Sequence, residues 1–185
     1  MTIWYTADTH FGHEKVIDLC KRPFKSASHM DGALIENMWK VVKPDDTLCI
    51  IGDFAYGPHS KEPAYLEGIF HQLPGVEKHL VIGNHDSEIV WDLPWESVAH
   101  ISKTPGGSEG VRHVMCHYPM ITWEGARKGA LQLFGHVHDR WRGSRNAVNV
   151  GVDVWDYAPV SFDQISRRAR SLPENKHWGD VERRQ

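Results

Sequence analysis

Apolar residues arrive along this chain in short runs, and the runs keep ending the same way. Leu80-Val81-Ile82 leads into Gly83-Asn84-His85-Asp86, and Ile3-Trp4-Tyr5-Thr6-Ala7 into Asp8-Thr9-His10. Leu48-Cys49-Ile50-Ile51 leads into Gly52-Asp53, and the run from Val111 to Cys116 into His117. Ala130-Leu131-Gln132-Leu133-Phe134 leads into Gly135-His136-Val137-His138. β-branched and aromatic residues suit a pleated, half-buried or buried surface, so these runs predict strands at 2–7, 47–51, 76–82, 111–116 and 130–134. Two weaker runs add strands at 97–102 and 146–152.

Between the strands the apolar period lengthens to that of a helix. Leu34, Ile35, Met38, Trp39 and Val42 fall on one face of a helix over 31–43, and Leu66, Ile69 and Phe70 on one face over 61–72. Shorter helices are expected at 14–20, 87–92 and 161–169, with polar loop at 25–30 and turns at 43–46 and 104–108. Strand and helix alternate in the first half, while strands dominate the second. That order predicts an α/β protein with two facing sheets, mixed parallel and antiparallel, and helices outside. One domain over 1–170 is expected, followed by a polar, frayed tail over 171–185.

Composition narrows the field without deciding it. The 185 residues suffice for one well-cored domain, and a net charge of −3 gives no global attraction to nucleic acid or an anionic membrane. No apolar run approaches the roughly 18 residues of a membrane span, and no signal peptide opens the chain. Cys20, Cys49 and Cys116 are widely spaced and odd in number, which fits a reducing cytoplasm better than a disulfide framework. The 13 histidines are many for this length, and several sit at the strand ends just quoted.

Asp, Asn and His supply oxygen and nitrogen ligands for divalent metals, and strand ends are where open α/β folds gather their ligands. Strand ends of one chemical type imply one shared site. Singly, each residue has an ordinary reading: Asp8 as a helix cap, Asn84 as a turn former, His117 as a core histidine. Their joint occurrence favours a metal site.

Taken together, Asp8-x-His10, Gly52-Asp53, Gly83-Asn84-His85-Asp86, His117 and Gly135-His136-x-His138 resemble the calcineurin-like metallophosphoesterase superfamily, and its small stand-alone bacterial and phage members in particular. The resemblance implies a four-layer αββα sandwich with a dinuclear hydrolytic centre. It implies Asp8, His10, Asp53 and His138 around one ion, and Asp53, Asn84, His117 and His136 around the other, with Asp53 bridging. A hydroxide activated by both ions would then be the nucleophile. His85 is implied as general acid or transition-state stabiliser, and Asp86 is expected to orient its imidazole. Asp53 is followed by Phe54-Ala55-Tyr56-Gly57, and the third motif ends in Asp86 rather than Glu, which separates the chain from the protein phosphatases of that superfamily.

Three further groups carry two readings each. His13 is either a substrate-side group or a residue at a helix start. Arg140, Arg142 and Arg145 either meet a phosphate or form a solvated basic loop. Trp123, Trp141, Trp155 and Tyr157 either pack or stack on a base or aromatic leaving group. The basic C-terminus, with Arg167, Arg168, Arg170, Arg183 and Arg184, reads as an exposed helix end and tail. The expected function is hydrolysis of a phosphodiester or small nucleotide-type phosphoester by a cytoplasmic enzyme, with phosphomonoesterase, nuclease and non-catalytic scaffold as alternatives. The expected cofactors are two divalent ions, Mn²⁺ by resemblance, with Fe, Zn²⁺, Ni²⁺ or Co²⁺ compatible with the same ligands. The expected partner is a small phosphoester, with no membrane; nucleic acid is a possible partner that the net charge does not support, and the oligomeric state is open.

Overall fold

A computed structural model describes residues 1–105 and 111–182. Among the described residues, two mixed sheets of five strands each face one another, and six helices complete an αββα sandwich. In the first sheet, β1 (Ile3–Thr6), β2 (Thr47–Ile51), β3 (Glu77–Val81) and β4 (Ser97–Ala99) run parallel, and β10 (Val160–Ser161) adds antiparallel to β1. The second sheet is ordered β5 (Ile101–Pro105), β6 (Val111–Cys116), β7 (Leu131–Phe134), β9 (Ala147–Asn149) and β8 (Gly143–Ser144). Its central pairs, β6 with β7 and β7 with β9, are parallel.

Strand β2 shows why the runs are continuous rather than alternating. A strand covered on both faces is apolar at every position. Cys49 and Ile51 point between the sheets towards Tyr5, Val81, Met115, Leu133 and Val148. Leu48 and Ile50 point outwards onto the helices, against Met30, Leu34, Met38, Leu66 and Phe70. The helices meeting that outer face are α1 (Glu14–Leu19), α2 (Ala27–Val41), α3 (Pro63–Gln72) and α4 (Glu88–Trp91). Ile165 and Ala169 of α5 (Phe162–Ser171) join the inter-sheet cluster. On the far face of the second sheet, Trp141 stacks on Phe134 with centroids 5.1 Å apart.

The differences from the sequence-based expectation have physical causes. The expected strand 97–102 is two strands, because the chain leaves the first sheet at Ala99 and enters the second at Ile101. Helix α2 begins inside the expected loop 25–30, since Ser26 accepts the His29 backbone N–H as its cap. Trp39 stays 51% exposed rather than packing inward, its indole N–H donating to the Gln72 carbonyl. The expected frayed tail contains α6 (Lys176–Glu182), tied back by Glu182 to Thr122 and Arg127. The expected turn 104–108 falls mostly, and Arg183 and Arg184 wholly, outside the described residues. No helix among the described residues is long and apolar enough to cross a membrane.

Candidate metal centre

Parallel strands bring their carboxyl ends to one edge, and the sandwich brings the two edges together. Ala7, just past β1, bridges in parallel to Gly151, just past β9. Asp8, Asp53, Asn84, His117 and His136 therefore converge although they span most of the chain. Besides Cys20, His138 and Asp153, two groups of side chains among the described residues have their ligand atoms within 4.8 Å of one another: Asp8, His10 and His138, and Asp53, His117 and His136. Asp53 stands between them, its Oδ2 3.5 Å from His10 Nε2 and 3.3 Å from His117 Nε2. Asn84 Oδ1 lies 3.2 Å from His117 Nε2 and 2.9 Å from His136 Nδ1.

The backbone pays a conformational cost to aim these groups. Asp8, His10, Asp53, His136 and His138 all have positive φ, between 51° and 69°. Left-handed backbone is uncommon for residues bearing a Cβ and costs on the order of 1–3 kcal/mol each, so it persists only where surrounding contacts enforce it. Arg22 is one such contact. Its buried guanidinium donates to the Asp8 carbonyl at 2.7 Å and the Thr9 carbonyl at 3.1 Å. Asp86 is another. It accepts the backbone N–H groups of Asp53 at 2.9 Å, Phe54 at 2.8 Å and Gly83 at 2.8 Å.

That use of Asp86 corrects the expectation that it orients His85. The turn at Gly83 folds the carboxylate back over its own loop and across to β2, where three buried N–H donors claim it. The His85 ring instead lies 4.1 Å from the Tyr56 ring and 5.5 Å from that of His10, centroid to centroid.

Two glycines keep the floor thin. A Cβ on Gly52 would stand 2.3 Å from His117 Nδ1, and one on Gly83 would stand 2.3 Å from Asp53 Oδ1. Any side chain there would displace a candidate ligand.

The second nitrogens of the imidazoles are also held, which fixes tautomer and ring orientation. His117 Nδ1 donates to the Ile51 carbonyl at 3.0 Å, leaving Nε2 to face Asp53 and Asn84. His138 Nδ1 donates to Asp153 Oδ2 at 2.8 Å, and Asp153 in turn receives two 2.8 Å bonds from Arg22. His10 Nδ1 lies 3.4 Å from His13 Nδ1. His13 is thus both the residue preceding α1 and a neighbour of the centre.

Burial and neighbouring charges compete in setting the electrostatics. It pushes the Asp8 carboxyl up to about 6 against the pull of His117 and His138. Burial would raise Asp53 too, but the hydrogen bond and charge of His117, with His10 beside it, bring it down to about 2. Burial holds His10 well below its ordinary value. For His138, burial is outweighed by Asp153, Cys20 and Asp8, which carry it up to about 10.

The donor set suits divalent cations. Asp8 Oδ2 and His10 Nε2 are buried with no hydrogen-bond partner, an arrangement whose cost a bound cation would remove. Imidazole, carboxylate and amide donors without thiolate at the two groups match transition-metal chemistry.

Asp153 and Asn149 are functional residues that the sequence-based reading passed over. Asn149 donates to the carbonyls of His138 and Trp141, both at 2.8 Å, and so anchors the His138 turn. The signal for Asp153 was present, because Val150-Gly151-Val152-Asp153 repeats the pattern of an apolar run, a glycine and an acid. Arg22 had no such signal. Arg140 and Arg142 are exposed just beyond the His138 turn, and Arg145 pairs with Glu174. Of the four aromatic residues singled out for packing or stacking, Trp155 lies under Arg168, Tyr157 against Phe24 and Trp141 on Phe134, and Trp123 donates to the Ala130 carbonyl.

No family model matches the chain. The uncharacterized protein MJ1445 of Methanocaldococcus jannaschii is 28% identical over 170 residues, with 88% of each chain covered. The Gene 66 protein of Mycobacterium phage L5 is 27% identical over 194 residues, covering 88% of this chain and 91% of its own. Among solved structures, the protein of unknown function AQ665 from Aquifex aeolicus superposes with a TM-score of 0.70 at 28% identity, over 90% of this chain and 98% of its own. This chain shares its fold with that protein.

Proposed function

We propose that this protein is a metal-dependent phosphoesterase whose centre is of the calcineurin-like metallophosphoesterase type, acting on a phosphodiester or small nucleotide-type phosphoester. One observation carries the proposal: a single carboxylate oxygen, Asp53 Oδ2, faces His10 Nε2 at 3.5 Å and His117 Nε2 at 3.3 Å, between two ligand groups drawn from distant parts of the chain. Asp8, His10, Asp53 and His138 would hold one divalent ion, and Asp53, Asn84, His117 and His136 the other. Two ions held by these residues would supply Lewis acidity and lower the pKa of a water towards neutrality. Mn²⁺ is the proposed metal.

This chain's own residues do the rest. Asp8 and Asp53 are the only carboxylates in the two ligand groups, so the loaded centre keeps a net positive charge that suits an anionic ester. Asn84 is exposed and His85 half-buried, which puts them on the open side, where His85 can give a proton to the departing oxygen. Asp153 and Asn149 hold His138 in register. The free thiols Cys20, Cys49 and Cys116 suit a reducing, cytoplasmic setting.

The test is to strip the protein of metal, restore single ions, and follow bis(p-nitrophenyl) phosphate and p-nitrophenyl phosphate. Metal-dependent turnover of the diester is expected. Turnover of the monoester alone would make the protein a phosphomonoesterase, and no turnover of either with any ion would overturn the proposal.

A further inference from the structure

Two tyrosines stand at the mouth of the centre with their rings in the open. Tyr56 is 41% exposed and Tyr118 is 46% exposed, and each lies against histidines of the site. Tyr56 touches His85, with centroids 4.1 Å apart, and His13 at 4.7 Å. Tyr118 touches His136 at 4.7 Å and His117 at 5.3 Å. One tyrosine therefore borders the His10 side of the centre and the other the Asn84 side.

Both are mounted on fixed backbone. The Tyr56 N–H donates to the Phe11 carbonyl at 3.2 Å, and Ala55 before it bridges to Phe11. The Tyr118 carbonyl accepts from buried Gln132 at 2.7 Å, and the same amide accepts the Met120 N–H at 2.9 Å. A ring held along one side and open to solvent on the other loses little freedom when a second ring lies on it. Base-on-aromatic stacking contributes about 1–3 kcal/mol per base and tolerates any base, since each has a π-face.

From this placement, and resting on the phosphodiesterase reading above, we propose that Tyr56 and Tyr118 are substrate-binding residues that stack the bases flanking the scissile phosphate of a single-stranded nucleotide phosphodiester. A duplex is disfavoured because its bases are already stacked on one another. Neither tyrosine bonds to a ligand atom through its hydroxyl, so the ring is the functional part and phenylalanine should replace it.

The test uses a binding probe and a matched pair of substrates. Fluorescein-labelled hexathymidylate is titrated into the full-length protein in EDTA and followed by anisotropy, for wild type and for Tyr56→Leu, Tyr118→Leu and the two Phe variants. Each Leu variant is expected to weaken binding by about ten-fold or more, each Phe variant to restore it, and the same sequence as a duplex to bind more weakly. With metal restored, thymidine 5′-(p-nitrophenyl phosphate) is compared with methyl p-nitrophenyl phosphate. One of the two Leu variants should raise KM about ten-fold for the thymidine ester relative to the methyl ester, and the other, facing the nitrophenyl group that both esters carry, should affect the two alike. Unaltered hexathymidylate binding in both Leu variants, or no difference between the two esters in either variant, would overturn the proposal. Failure of every ester to turn over would overturn the phosphodiesterase reading alone, because the anisotropy arm reads the tyrosines without catalysis.

Discussion

His138 Nδ1 and Asp153 Oδ2 lie 2.8 Å apart, and Nε and Nη2 of the buried Arg22 donate to Oδ1 and Oδ2 of the same carboxylate. The same guanidinium grips the carbonyls of Asp8 and Thr9. One hydrogen-bonded chain thus links the ends of β1 and β9 to the His138 turn, and it sets the ring from behind. Such supporting partners typically change metal affinity by about 10–100-fold when removed.

Asp153→Asn should therefore weaken binding at the Asp8, His10 and His138 group by about 10–100-fold while the chain still folds. Titration of metal-stripped protein with Mn²⁺, monitored calorimetrically, measures this. Asp153→Ala is a harsher change, because it strands the Arg22 charge in the interior, and a loss of about 3–5 kcal/mol of stability is expected.

Asp86 gives a prediction that separates support from catalysis. Replacing it with alanine leaves the N–H groups of Gly83, Asp53 and Phe54 without their acceptor. Unsatisfied buried donors cost about 1–3 kcal/mol each, so Asp86→Ala should lower Tm clearly in the absence of metal. A variant with unchanged Tm but reduced turnover would return Asp86 to the role of orienting His85.

His85→Ala should keep the metal content and lose hydrolysis by about two to four orders of magnitude. Its backbone N–H donates to Asp53 Oδ1 at 2.9 Å, and alanine retains that bond. Elemental analysis beside the rate measurement decides the matter, since metal lost along with activity would make His85 a ligand.

His113 predicts an acid weakness unrelated to the metal centre. Its ring is 1% exposed, edge-on to Tyr5 at 5.1 Å and stacked on Phe162 at 4.9 Å, with neither nitrogen hydrogen-bonded. Burial, with the nearby charge of Arg112, pushes it from 6.5 down to about 4. The unfolded chain takes up this proton as pH falls below about 6.5, and the folded chain only near 4, so unfolding is favoured progressively across that interval. The stability at stake is on the order of 3 kcal/mol, fully present above pH 6.5 and lost as pH falls towards 4. The difference between the urea-melt curves of wild type and His113→Leu should grow with acidification across that interval. A pH-independent difference would contradict the assignment.

The gathering of the candidate ligands was legible because they stand at strand ends. An apolar run, often a glycine, and then Asp, Asn or His is a local pattern, and parallel strands do the gathering. Asp8, Asp53, Asn84, His117 and His136 could be read in this way without knowing what lay beside what. The supporting residues are harder to read, because their partners are remote in sequence. Arg22 and Asp153 are 131 positions apart, and nothing local to Lys21-Arg22-Pro23 marks the guanidinium as buried. The placement of the aromatic residues is hard to read for a related reason. Tryptophan is conspicuous in a sequence, yet Trp141 and Trp155 fill the gaps at the sheet faces, and it is the less conspicuous Tyr56 and Tyr118 that reach the mouth. Helix α6 has no periodic signal in the sequence, because this short, polar helix is held by Glu182 contacts to a distant loop.

The most direct measurement is the number of divalent ions taken up by the metal-stripped chain and its dependence on Asp53, followed by calorimetric titration with Mn²⁺ and elemental analysis of the product. Two ions per chain are expected for the wild type, with both lost or one retained weakly in Asp53→Ala. Uptake of no ion, or of the same number whether or not Asp53 is present, would contradict a carboxylate shared between two cations.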